Sequence, residues 1–242
     1  MKIVIVRHGD PDYQNDCLTE KGKREAECLA PRIQKMKFER CYVSPLGRAR
    51  QTAEACLGPI GIEPVVFDWL QEVRTKVYRP NQAYRESVPW DWYPADWTSC
   101  DDFYTFDRWY EHPVFVQAGL KQDIENIYAG LEKLLNEMGY VKNGRFFKAV
   151  RPNNDTVLLF CHFGLECVII SYLLNISPMV LWQGFCAHTT SVTTVATEER
   201  IAGQAGFRVI EFGDTSHLYT AGEPCSFSGR FCECFTNEDE RH

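Results

Sequence analysis

Ile3-Val4-Ile5-Val6-Arg7-His8-Gly9 decides how the rest of the chain is read. Four consecutive β-branched residues without alternation predict a strand buried on both faces, as in a largely parallel sheet. The switch to Arg7 and His8 marks the carboxyl end of that strand, where open α/β sheets bind their ligands. Gly9 lets the backbone approach a ligand closely. One other stretch repeats the layout: Leu158-Leu159-Phe160-Cys161-His162-Phe163-Gly164. Two histidines, each following a buried strand and each followed closely by glycine, can face one crevice. A helix from Leu165 to Leu174 would aim its free N–H groups into it.

Working outward, Thr19 is placed to cap a helix carrying Ala26, Leu29, Ile33 and Met36, although Gly22 and Pro31 make that helix imperfect. A short strand at Cys41-Tyr42-Val43 runs into Ser44-Pro45, which reads as an N-cap with proline at the first helical position. The helix behind it carries Arg48 to Leu57. Val65-Val66-Phe67 is another short strand, ending near Leu70 and Glu72. Leu120, Ile124, Ile127, Leu131, Leu134, Leu135 and Met138 mark an amphipathic helix. Asn143-Gly144 signals a hairpin turn. Strands are expected at Thr156 to Phe160, Val192 to Val195 and Phe207 to Ile210. The pattern predicts a three-layer α/β/α sandwich around a mostly parallel sheet, as a single domain over residues 1–242. Residues 73–117 have a different texture. Trp90, Trp92, Tyr93, Trp97, Phe103, Tyr104, Trp109 and Tyr110 crowd among prolines and acids without a period. Such aromatic density argues against disorder and for an inserted cap with a small core of its own.

Composition limits the possibilities further. The 242 residues are 45% hydrophobic and 24% charged, enough to bury a core. A net charge of -7 argues against nucleic acid as a partner. The apolar start reaches Arg7 too soon for a leader, and no other run is long enough for a membrane, so a cytoplasmic protein is expected. Eleven cysteines might suggest disulfides. Cys28, Cys41, Cys56, Cys161 and Cys167 instead sit in apolar or helical segments, as reduced thiols do. Cys225, Cys232 and Cys234 cluster without the paired spacing of a zinc site, so no metal is expected there.

Four strand ends can deliver Arg7, His8, Arg48, Glu72 and His162 to one place. Two guanidinium groups can grip phosphoryl oxygens in forked geometry. A neutral imidazole can attack phosphorus near neutral pH. A carboxyl group can protonate the leaving oxygen. Arg50, two positions past Arg48, points to another helix face and reads as solvated. Glu86, Asp91 or Glu166 could stand in for Glu72. His112, His188, His217 and His242 read as structural or exposed.

The ordered set resembles the histidine phosphatase superfamily, also called the phosphoglycerate mutase-like family. Arg7-His8-Gly9 is similar to its signature, and Leu18-Thr19-Glu20-Lys21-Gly22 to its first-helix entry. Ser44-Pro45-Leu46-Gly47-Arg48-Ala49-Arg50-Gln51-Thr52-Ala53 resembles its second motif, and Leu70-Gln71-Glu72 the segment that supplies the acid. Cys161-His162-Phe163-Gly164 is similar to the second-histidine motif, and Ser216-His217-Leu218 to the usual ending. The resemblance implies that His8 carries the phosphoryl group while Arg7, Arg48 and His162 bind the phosphate. It implies that Glu72 acts as general acid and then activates water, and that no metal or other cofactor is needed. Asp10 departs from the glutamate common at its place. Asn15, the nearest counterpart of a substrate-contacting asparagine, lies one place late, with Gln14 at the commoner spacing. The implied activity is hydrolysis of a small phosphomonoester. A phosphoglycerate mutase-type transfer is the first alternative, and Glu72-Val73-Arg74-Thr75 lacks the run that mutase members carry there. A non-catalytic module that binds phosphorylated ligands is the second, and the complete polar set counts against it. A homodimer is allowed by the sequence and not specified by it.

Overall fold

The computed structural model describes residues 1–79, 85–230 and 232–237. His242, read above as structural or exposed, lies outside the described residues. In chain order the first elements are β1 (Lys2–Arg7), β2 (Pro11–Asp12), β3 (Cys17–Leu18), α1 (Glu20–Gln34), β4 (Arg40–Val43), α2 (Gly47–Leu57) and β5 (Val65–Val66). The next are β6 (Val77–Tyr78), β7 (Glu86–Ser87), α3 (Pro94–Trp97), α4 (Pro113–Ala118) and α5 (Leu120–Glu137). They are followed by β8 (Tyr140–Asn143), β9 (Phe146–Ala149), β10 (Thr156–Cys161), α6 (Phe163–Leu174) and α7 (Pro178–Gly184). The chain finishes with β11 (Val192–Ile201), β12 (Gln204–Asp214) and α8 (Ser216–Ala221).

Eight strands form one mixed sheet in the order β5-β4-β10-β1-β11-β12-β9-β8. The first four run parallel, and antiparallel pairing begins between β1 and β11. Residues of β1 serve two cores, one on each face. Ile3 and Ile5 join the cluster formed with α5, α6 and α7, while Val4 and Val6 join Leu29, Ile33, Ala49 and Ala53 of α1 and α2. That division is the three-layer sandwich expected from the unbroken apolar run. It also explains why the run does not alternate, since neither face of β1 meets water.

Three local expectations need correcting. Ser44 does not cap α2: the helix begins at Gly47 after Leu46, and Pro45 precedes it. The tight turn after β8 lies one residue later than Asn143-Gly144 suggests. Asn143 pairs with Phe146, which leaves Gly144 and Arg145 in the turn, with Gly144 at φ +63°. Among the described residues the aromatic segment has no separate core. Trp92 packs on Phe103 at 5.2 Å and Phe115 at 5.6 Å, but Trp109 also meets Trp182 of α7 edge-on at 5.4 Å. The cluster thereby continues the core on the α5–α6–α7 face.

Helix α1 runs unbroken through Gly22 and Pro31, capped by Thr19, whose hydroxyl accepts from the Gly22 N–H at 3.0 Å. Gly22 is required by packing rather than by flexibility. A Cβ there would lie 2.2 Å from the Asp10 carbonyl oxygen, and one on Gly9 would lie 2.6 Å from the Gly22 carbonyl oxygen. The loop after β1 is thus pressed directly on the start of α1. Alanine favours helix over glycine by about 1 kcal/mol. Gly22→Ala should nevertheless destabilise the protein, by about 1–3 kcal/mol, because the overpacking term dominates. Urea unfolding measures this, and a more stable variant would contradict the close approach.

Candidate active site

Adjacent parallel strands bring the two histidines together. Arg7 on β1 pairs with Cys161 on β10, and the His8 N–H donates to the Cys161 carbonyl at 3.1 Å. His8 and His162 each follow immediately, so their rings face one another with centroids 5.1 Å apart. Strand β4 flanks β10 on its other side and ends one residue before Ser44. The Ser44 N–H donates to the Phe160 carbonyl at 2.9 Å, and its hydroxyl lies 2.8 Å from His162 Nε2. Arg48, in the first turn of α2, places Nη2 3.3 Å from His162 Nδ1. Arg7, His8, Arg48 and His162 are all buried.

Partner chemistry assigns the protons. A carbonyl oxygen only accepts, so His8 Nδ1, 2.7 Å from the Gly9 oxygen, carries the hydrogen and Nε2 keeps its lone pair. Loss of hydration, and then the Arg7 and Arg48 charges, hold the His8 pKa well below the usual histidine value. His162 is held low in the same way, by burial first and then by His8, Arg48 and Arg7. Both rings are therefore neutral near pH 7.

Protein groups hold both guanidinium groups in place. Arg7 Nη1 donates to the Ala187 carbonyl, and its guanidinium carbon sits 5.8 Å from the Phe163 ring centroid. Arg48 Nη1 pairs with Asp16 at 2.5 Å. Among the described residues, Arg7 Nε and Arg48 Nε are buried without a protein acceptor.

Glu72 reaches the N-terminus of α6. Its Oε2 accepts from Gly164 N–H at 3.0 Å; its Oε1 accepts from Leu165 N–H at 2.8 Å and from its own neighbour Val73 at 3.0 Å. Desolvation raises its pKa, and these three N–H donors and Arg48 pull the other way without cancelling the rise. Of the substitutes, Glu86 is exposed and accepts from Tyr78, while Asp91 is bound to Arg79 and Ser87, all in the β6–β7 ribbon. Glu166 is enclosed in α6, and burial pushes its pKa up to about 7.

Asn15 is not brought into the cluster. It is exposed, and its side-chain amide donates to Asp12 at 2.7 Å. The neighbouring Asp16, at φ +48°, takes the inward position and grips Arg48 and the Gly47 N–H. Arg50 is exposed. His112 packs with Trp92 and Phe103 and caps α4. His188 is half-buried, and His217 is buried with Nε2 3.1 Å from Thr190 Oγ1. Among the described residues no three His, Cys, Asp or Glu side chains are grouped as metal ligands, and no disulfide joins any of the cysteines.

Sequence reasoning gave no site role to Ser44, Asp16, Phe163 or Trp90. Trp90 comes from the aromatic segment, and its ring edge would lie 2.5 Å from a Cβ on Gly164, where Glu72 Oε1 would lie at 2.7 Å. The segment beyond Leu218 also returns to the site. Ser226 bonds Asp10 and Glu25, and a Cβ on Gly229 would lie 2.9 Å from Arg7 Nη2. Ser44 and Phe163 carried a signal, their places in the second motif and the second-histidine motif.

The family model of the histidine phosphatase superfamily (branch 1) matches residues 3–133, and the chain belongs to that superfamily. Phosphoserine phosphatase 1 of Hydrogenobacter thermophilus is 23% identical over 209 residues, covering 83% of this chain and 88% of that protein. The solved phosphoserine phosphatase of Entamoeba histolytica, a mutant in complex with phosphoserine, superposes with a TM-score of 0.60 at 20% identity. It covers 90% of this chain and 98% of its own. The alpha-ribazole phosphatase of Shigella flexneri gives a TM-score of 0.53 at 16% identity, over 89% and 97% of the two chains. At these identities the structural likeness speaks for the fold. No helix among the described residues is long and apolar enough to cross a membrane.

The enclosed Glu166 makes a testable statement about stability. A carboxyl group whose folded pKa is raised favours the folded state while protonated, and that advantage is lost as pH rises from its unfolded value toward about 7. Replacing it by glutamine removes the loss. Glu166→Gln should gain on the wild type by up to about 3 kcal/mol between pH 4.5 and 7, then level off. Urea titrations of both proteins across that range give the difference. A constant difference would mean that Glu166 does not titrate there.

Proposed function

We propose that this chain is a phosphomonoester hydrolase that forms a phosphohistidine at His8 Nε2. The observation that carries the reading is that lone pair, buried beside the charges of Arg7 and Arg48 and a second imidazole, in a site that also holds a carboxyl group of raised pKa. Arg7 and Arg48 would take the phosphoryl oxygens, with His162 closing the same shell, and stabilise the charge that spreads during transfer. His8 Nε2 forms the new N–P bond as the P–O bond to the alcohol breaks. Glu72 gives its proton to that leaving oxygen. In the second step Glu72, now a carboxylate, takes a proton from water as the water oxygen attacks phosphorus and the N–P bond breaks. Inorganic phosphate leaves, and the enzyme returns to its starting state.

Every step of this route uses the chain's own side chains, so we propose that it runs without a metal ion or other cofactor. Reduced cysteines, Cys56, Cys161 and Cys167 buried among them, suit a cytoplasmic setting. The substrate is proposed to be a small phosphorylated metabolite. O-phosphoserine is the first to try, since two of the relatives are named phosphoserine phosphatases.

With EDTA present, hydrolysis of O-phosphoserine should persist in the wild type and vanish in His8→Ala. The ratio kcat/KM should fall at low pH as His8 gains a proton and at high pH as Glu72 loses one. The optimum lies between, at mildly acidic pH, because the first pKa is lowered and the second raised. Glu72→Gln should cost about 10²–10⁴-fold with O-phosphoserine, the usual worth of a general acid. It should cost far less with p-nitrophenyl phosphate, whose leaving group needs little protonation. Equal losses on both substrates would remove Glu72 from the acid role, and activity in His8→Ala would remove the phosphohistidine.

A further inference from the structure

Ser44 is fully buried, and its hydroxyl is the partner of His162 Nε2 at 2.8 Å. The other ring nitrogen of His162 faces Arg48 Nη2 at 3.3 Å. A guanidinium has only donors, so Nδ1 must offer its lone pair. That leaves Nε2 as the protonated nitrogen, and Ser44 Oγ as its acceptor. His162 also precedes α6 in extended conformation, φ -137° and ψ 160°, but makes no side-chain bond to that helix, whose first N–H groups are taken by Glu72. The ring is therefore released from the N-cap role that its position would allow. Two neighbours reached through β4 and α2 hold it instead.

We propose that Ser44 is a positioning residue: it fixes His162 as the neutral Nε2–H tautomer and sets the plane of its ring against His8. The consequence for turnover rests on the phosphatase reading, and the tautomer does not. A wrong ring orientation would turn Nδ1 away from Arg48 and release the guanidinium that it helps to place. Because Ser44 Oγ also accepts from the Leu46 N–H at 3.3 Å, a rival role exists as a turn-former. That role would affect folding without affecting the proton on His162.

The test is an imidazole ¹⁵N–¹H correlation spectrum of uniformly labelled protein near pH 7, with His162→Gln for assignment. Wild type should show His162 protonated at Nε2 alone. Ser44→Ala should lose that single-tautomer pattern and lower kcat with p-nitrophenyl phosphate by roughly 10–100-fold, the span seen when the partner of a functional histidine is removed. Its KM should change much less. Ser44→Thr, which keeps the hydroxyl, should keep the wild-type spectrum, and this guards against misfolding of the alanine variant. A wild-type His162 protonated at Nδ1, or a Ser44→Ala spectrum identical to wild type, would overturn the proposal. A wild-type Nε2–H signal in a protein whose His8→Ala variant still hydrolyses the ester would overturn the phosphatase reading and leave the tautomer standing.

Discussion

Arg7 and Arg48 carry permanent charges below the protein surface beside two imidazoles, and burying an ion without compensation costs several kcal/mol. The compensation found here is partial. Arg7 has a backbone carbonyl and an aromatic face; Arg48 has Asp16. Everything else in the crevice is set by the charge that remains. Neither histidine can afford a second proton there, so both stay neutral, and one presents a lone pair. On the proposed route a phosphoryl group, with its negative oxygens, would complete the balance that the protein leaves open. The proposed affinity and chemistry would then derive from one electrostatic imbalance.

Such a cluster needs a scaffold that supplies polar groups without admitting water. The carboxyl ends of β1, β10 and β4 do this, because each strand leaves backbone donors and acceptors where it ends. Ser44, Thr52, Thr189, Thr190, Ser191 and Thr193 are buried around them. Thr52 receives the Gly9 N–H, and the Thr190 N–H donates to the His8 carbonyl. The loop that carries His8 is therefore tied to α2 on one side and to the chain before β11 on the other. Glu25 holds the same loop from α1 through the Asp10 N–H. Close contact between Gly9 and Gly22 is the packing price of that rigidity.

What the sequence made legible follows from period and position. The unbroken run before Arg7 identified a strand buried on both faces, and its echo before His162 identified the neighbouring strand. Residues at those two strand ends could be read because their place in the chain fixes their place in space. Ser44 was misread as a cap because serine before proline has that local meaning, whereas its partner His162 lies 118 residues away. Asp16 could not be separated from Asn15, since only the left-handed backbone at Asp16 decides which side chain turns inward. Trp90 and the chain around Gly229 reach the site through tertiary packing that leaves no periodic trace. The aromatic segment was visible by composition, but its continuity with Trp182 was not.

Two acids of raised pKa lie on the same helix terminus, and position rather than pKa separates them. Glu166 belongs to α6 itself and is closed off from solvent, so a proton on it has no short way to a leaving group. Glu72 comes from outside the helix and meets its first N–H groups end-on. On the proposed route, burial would favour the protonated form before transfer, and the N–H donors would favour the carboxylate once the proton has gone. These opposing effects hold the two forms closer in free energy than burial alone would. A group that must give a proton in one step and recover it from water in the next needs that near-balance. One spare lone-pair position on Oε2, which accepts a single N–H, leaves room for the proton to sit. The edge of Trp90 packs on Gly164, where Glu72 Oε1 also lies.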